Sequence, residues 1–353
     1  MTAAAARARI VGRVLLAMLL ACPKPTPAPA SDVVPTLPSP RGEVYGNVPA
    51  TPRDPKVAEA ARGLPWDEVL SGAATALALE ALAGEASDVR EVRWRAIVAG
   101  YPWPVVGRAM AKARLGEIPT GLVEEARRTG GDDVGLVRAR GEDGDLWVLL
   151  VGRRRGPVPA VAREARIREV VALGPGAWVV SDADGDVRRP DGSVVLDEVG
   201  EWLFRLEASG VAVATFPVYV ATATPETPPV RALASPAGSW EEEARAIADA
   251  ARARVGLGAL GDEPGLDSVA RARLRAVMEA GSAPPAEAQL RAAGYVGVPV
   301  AGAECRAPTV VDCLDAIWWD PFRRGVLVGA FDAMGVAAHE ADGQVVLALV
   351  AAG

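Results

Sequence analysis

The sequence predicts an α+β protein: two α/β modules of similar plan with a small β-sandwich between them. Three observations carry that reading. Two distant segments repeat helix, helix, Gly-Tyr stop and apolar hairpin in one order. Helical periodicity governs the front of each segment and strand alternation its end. The stretch between them is a series of short alternating runs separated by turns.

Taken in chain order, Arg7, Arg9 and Arg13 precede the apolar run Val14–Leu20. That run is shorter than the roughly 20 residues a membrane helix needs, so it reads as an export signal. It ends Leu19-Leu20-Ala21-Cys22, which resembles a bacterial lipobox with Cys22 as the acylated residue. Pro23 follows, where an aspartate would be the inner-membrane retention signal of Gram-negative lipoproteins, so the resemblance implies the outer membrane. Prolines then recur to Pro55, and such chain reads as a spacer.

The first module predicts a long helix from Trp66 to Leu82 and a shorter one from Val89 to Ala99, with Asp88 and Glu91 as a capping box. Gly100-Tyr101 ends the second helix. Asp132–Val137, a Gly141–Gly144 turn and Leu146–Val151 read as a hairpin. Arg166–Val171, Ala177–Val180, Val194–Leu196, Trp202–Leu206 and Val211–Phe216 read as the strands of the sandwich. Within it, Asp182–Asp186 reads as a turn, because its glycine spacing does not fit a calcium loop. In the last module, Ser239 and Glu242 cap a helix whose apolar face runs Trp240, Ala244, Ile247, Ala248, Ala251, Val255. Helices near Pro264–Ala280 and Ala286–Ala293, a second Gly294-Tyr295 stop and a hairpin around Ala341-Asp342-Gly343 complete the repeat. The expected divisions are signal 1–21, lipidated Cys22 and linker 22–55, module 56–153, sandwich 154–222, linker 223–237 and module 238–353.

The chain of 353 residues carries −7; loss of the signal's three arginines and no acids takes it to −10. Such acidity argues against nucleic acid or anionic lipid headgroups as partners. One histidine, His339, excludes a histidine-rich metal site and limits any nucleophile–histidine pair to that residue, which is expected at the last hairpin turn. With Cys22 acylated, Cys305 and Cys313 are the two remaining thiols of an exported chain, and a disulfide between them is expected. Cys305 would lie in the loop after Glu304 and Cys313 in the helix capped by Thr309.

The series from Ser239 through Gly294-Tyr295 to Trp318-Trp319-Asp320-Pro321-Phe322-Arg323-Arg324 and the closing hairpin resembles the bacterial branch of the CAP superfamily of cysteine-rich secretory proteins, antigen 5 and pathogenesis-related 1. The resemblance implies a three-layer α-β-α sandwich. It also implies a metal-binding tetrad that this chain lacks. Gly302-Ala303-Glu304 keeps one family carboxylate, while Arg323 stands where a histidine belongs, and a guanidinium cannot ligate. The expectation is therefore a membrane-tethered, non-catalytic binding module without metal or cofactor. Its partner would be an envelope polymer, a lipid or a protein. Glu304, Trp319 and Arg323 are the candidate ligand cleft, with Trp318 or Trp319 as core and the other free to stack. The alternative is a carboxylate-dependent hydrolase using Glu304.

Overall fold

The structure is a computed structural model that describes residues 44–46, 50–85, 87–234 and 238–353. The signal, Cys22 and most of the proline-rich run lie outside them. In the first module the elements are α1 (Pro55–Ala60), α2 (Glu68–Leu82), α3 (Val89–Ala99), β1 (Val105–Ala113), α4 (Thr120–Thr129), β2 (Asp133–Gly141) and β3 (Gly144–Gly152). The middle contributes β4 (Glu164–Ala165), β5 (Glu169–Ala172), β6 (Ala177–Ser181), β7 (Val187–Arg188), β8 (Ser193–Leu196), β9 (Gly200–Ala208) and β10 (Val211–Val220). The last module runs α5 (Trp240–Arg254), β11 (Gly261–Asp262), α6 (Pro264–Ala280), α7 (Ala286–Ala292), β12 (Val300–Ala307), α8 (Val310–Trp318), α9 (Gly325–Val328), β13 (Ala333–Ala341) and β14 (Gln344–Ala352).

Alternation along the strands explains the layers. In β3, Leu146, Val148 and Leu150 join Leu70, Leu77 and Ile97 of α2 and α3 in one core, whereas Trp147, Leu149 and Val151 meet Val57, Leu122 and Ala126 of α1 and α4 in another. The sheet β1-β3-β2 is thus covered on both faces. The last module repeats this plan. Val346, Ala348 and Val350 of β14 pack under α6 and α7, and Leu347, Leu349 and Ala351 pack under α5 and α8. Its sheet order is β11-β13-β14-β12. Each module is an α-β-α sandwich.

The repeat extends to detail. Asp133 pairs with Gly152, and Ala333 with Ala352, at the same place in the two hairpins. Beside β2, Trp66 forms a parallel bridge to Val134; beside β13, Asp262 pairs in parallel with Met334. The amides of Tyr101 and Tyr295 each reach back five residues, to the carbonyls of Ala96 and Leu290, after a left-handed glycine at φ 103° and 101° respectively. Asp88 caps α3 by accepting from the amides of Arg90 and Glu91, and α5 opens with the full Ser239–Glu242 capping box. The sequence reading missed β1 and α4: alternating burial along β1 is incomplete, and α4 opens after Pro119 without a side-chain cap.

Between the modules, the five-stranded sheet β4-β10-β9-β6-β7 and the two-stranded sheet β5-β8 share a core built on Trp178, Phe204, Phe216 and Leu196. One part of the supposed spacer belongs to this body. Val44 bridges Ala162, and Tyr45 is 2% exposed with its hydroxyl donating to the Pro217 carbonyl at 2.6 Å. Proline spacing alone does not reveal that anchoring tyrosine.

Candidate functional site

Strand alternation decides where Glu304 points. It lies on β12 opposite Ala348, on the face covered by α6 and α7. There its carboxylate pairs with the guanidinium of Arg273, which also donates to the Pro284 carbonyl (2.8 Å) and the Gln289 side chain (2.7 Å). Burial lowers the pKa of Arg273. Trp319 lies across the sheet, 6% exposed, with Arg93 stacked 4.3 Å from its ring centroid and its indole N–H donating to Asp315 at 3.0 Å. Arg323 is exposed, pairs with Asp320 at 3.3 Å and donates to the Glu304 backbone carbonyl at 3.1 Å. The structure therefore brings Arg323 to the Glu304 main chain but leaves the Glu304 carboxylate and the Trp319 ring on opposite faces. His339 is an exposed residue within β13, opposite Val346, rather than in the turn. Among the described residues, no three His, Cys, Asp or Glu side chains gather as a metal cluster.

Cys305 and Cys313 form a disulfide with Cα atoms 5.3 Å apart. Cys313 sits in α8, capped by Thr309 accepting from the Asp312 amide at 3.2 Å. Cys305, however, is in β12 and pairs with Leu347, so the bridge ties strand to helix. The alternation Ala301, Ala303, Cys305, Ala307, with Gly302, Glu304 and Arg306 between, is the signal for that strand.

The adjacent arginines part company. Arg324 is fully buried, beside Glu201 of β9. Glu201 also binds Arg254 of α5 at 2.8 Å and accepts from the Trp318 indole at 3.0 Å. Arg254 stacks over both Trp94 and Trp318. Burial raises the Glu201 pKa, but the attraction of Arg254 and Arg324 outweighs it and leaves the carboxyl below its ordinary value. This cluster joins α3, β9, α5 and the end of α8. Glu201 stands near the start of β9, directly before the apolar run Trp202-Leu203-Phe204, and nothing local marks it as the centre of the cluster.

An open concavity lies elsewhere, between α3, residues 102–108 and the start of β10; its volume is about 650 Å3. Two strand irregularities shape it. β1, an edge strand of its sheet, shifts register between Val105 and Gly107, and β10 shifts between Ala212 and Ala214. The Thr215 amide holds the two walls together by donating to the Pro102 carbonyl at 3.2 Å. Val92, Ile97, Trp103, Val106 and Val213 make the walls apolar, and Arg90, Arg93 and Arg108 add cations to the lining. Arg90 pairs with Asp312 at 2.5 Å and Arg93 with Asp315 at 3.8 Å. Burial raises the Asp315 pKa, with Arg93 opposing. Arg108 donates to the Ser87 carbonyl at 2.5 Å and has no carboxylate partner among the described residues.

No family model matches the chain, and no curated protein matches it. Two solved structures are similar at low level. One is a cysteine-rich secretory protein from Staphylococcus aureus subsp. aureus Mu50, at 11% identity and a TM-score of 0.27, covering 62% of this chain and 79% of that one. The other is an extracellular protein containing an SCP domain from Bacillus anthracis str. Ames, at 11% identity and a TM-score of 0.26, covering 61% and 80%. Superpositions this loose carry no argument about activity, and the α-β-α architecture rests on the chain's own strands and helices.

Proposed function

We propose that this is an exported, lipid-anchored, non-catalytic binding protein of a bacterial envelope, and that its ligand is an apolar molecule with an anionic group held in the α3–β1–β10 cleft. The single observation that carries the reading is the pairing of apolar walls with Arg108, a lining cation without a carboxylate partner among the described residues, in a chain of net charge −7. Removing apolar ligand surface from water contributes about 25 cal/mol per Å2, and Arg108 orients the charged end. The hydrolase alternative finds less support, because the Glu304 carboxylate is already paired with Arg273 beneath α6. The tether rests on the lipobox-like Leu19–Cys22 and Pro23 favours the outer membrane.

Two experiments test the two halves. Cys22→Ser moves the protein from the membrane pellet to the soluble fraction in high salt; continued pelleting places the anchor elsewhere. An anionic fluorescent amphiphile, anilinonaphthalene sulfonate, is titrated into the mature protein. Val106→Asp and Arg108→Ala each weaken its binding at least severalfold, and unchanged affinity in both variants removes the cleft from consideration.

A further inference from the structure

The middle segment exposes an apolar strip that its own core does not use. Val170 of β5 and Val195 of β8 stand directly opposite each other and are 62% and 46% exposed, while their neighbours Val171 and Val194 are buried. Ile167 is 48% exposed beside them in sequence. Arg166 and Arg168 are exposed and form no ion pair among the described residues. The nearby acids are engaged: Glu169 accepts from the Arg166 amide at 2.8 Å, Glu164 from Thr224 at 2.9 Å and Asp197 pairs with Arg188 at 3.1 Å. The chain enters the fold at this same edge. Val44 bridges Ala162, and the Tyr45 amide donates to the Val161 carbonyl at 2.8 Å, so the segment leading back to Cys22 joins just before Arg166.

We propose that this strip is a membrane-docking edge: Ile167, Val170 and Val195 enter the headgroup boundary while Arg166 and Arg168 meet anionic lipid phosphates. The inference rests on the lipid-anchor reading above. Cys22 lies 22 positions before the first described residue, a reach of at most about 80 Å at full extension. A tether of that length turns a weak surface contact into an intramolecular one. Side chains that are apolar with basic flanks suit the interface between acyl chains and charged headgroups. The acidic remainder of the protein opposes general adsorption, so contact is confined to this edge.

The test uses the mature lipidated chain carrying Val170→Cys, Val195→Cys or, as control, Met278→Cys, an exposed position on α6. Each is labelled with an environment-sensitive fluorophore, with Cys305 and Cys313 protected by their disulfide. The chains are reconstituted into vesicles of phosphatidylglycerol and phosphatidylcholine, or of phosphatidylcholine alone. Labels at 170 and 195 shift to the blue and are quenched by lipid-borne nitroxides severalfold more than the label at 278. The difference shrinks without phosphatidylglycerol and in the Arg166→Glu, Arg168→Glu variant. Equal quenching at all three positions overturns the proposal, as does a signal that follows protein density at constant lipid, which marks contact between copies. A chain that does not float with vesicles overturns the anchor reading instead. Docking is then read with the same outcomes on the labelled Cys22→Ser chain held to nickel-chelating vesicles through an N-terminal His tag.

Discussion

The backbone of Leu70 occupies the place where a side chain on Gly135 would begin: a Cβ there stands 2.5 Å from the Leu70 carbonyl carbon. Leu266 and Gly335 repeat the relationship in the last module. Both helices lie directly on their strands, which only glycine permits. Gly135→Ala and Gly335→Ala are each expected to cost about 1–3 kcal/mol by forcing the helix away. Urea unfolding of the two variants measures this, and a loss confined to one module would show that the contacts differ in weight.

Glu201 gives the protein a signed pH dependence. Its folded carboxyl lies below the ordinary value, so its contribution is complete above the unfolded range, about pH 4.3, and fades as pH falls through the lower folded value. Glu201→Gln leaves Arg254 and Arg324 buried without their carboxylate and is expected to cost about 3–5 kcal/mol at neutral pH. Unfolding free energies of wild type and variant should converge below that range. A constant gap down to strongly acidic pH would contradict the assignment.

Reducing the Cys305–Cys313 bridge frees a short loop, so the expected loss is about 2–3 kcal/mol. Thermal unfolding with and without reductant reads it. The Cys305→Ser, Cys313→Ser protein should match the reduced wild type and ignore reductant.

Zinc titration of the mature chain should give no stoichiometric heat. Glu304 is committed to Arg273, and Arg323 offers no ligand. A one-to-one isotherm abolished by Glu304→Ala would overturn this. Glu304→Ala should also destabilise the fold, because it strands a buried guanidinium, and Arg273→Met in the same chain should recover part of the loss.

Much of the architecture was legible because it follows from periodicity. The Val89–Ala99 helix, the Pro264–Ala280 helix and both hairpins are local patterns, and the Gly-Tyr stops mark their order. The site was legible only in part. Glu304, Trp319 and Arg323 are neighbours in a motif, but strand alternation sends the Glu304 side chain to one face of the sheet and α8 holds Trp319 on the other. The buried partnership of Arg324 with Glu201, 123 positions apart, has no local signature. Nor does the cleft, since its walls come from α3, the turn into β1 and the start of β10, with one lining residue from α8.

The two modules meet through unlike faces. The α3 side of the first rests on the α8 side of the second, through Trp94 and Trp319 with ring centroids 6.4 Å apart and Arg93 over Trp319. Unlike faces mated in this manner propagate, into a ring where the rotation closes and into an open fibre where it does not. Among the described residues this joint is made once. Counting from the Gly-Tyr stops, Glu287 and Ala288 of α7 replace Arg93 and Trp94, and α4 has no tryptophan to receive a neighbour. The described chain holds this joint internally, and its α4 and α7 faces carry no second set of the same parts.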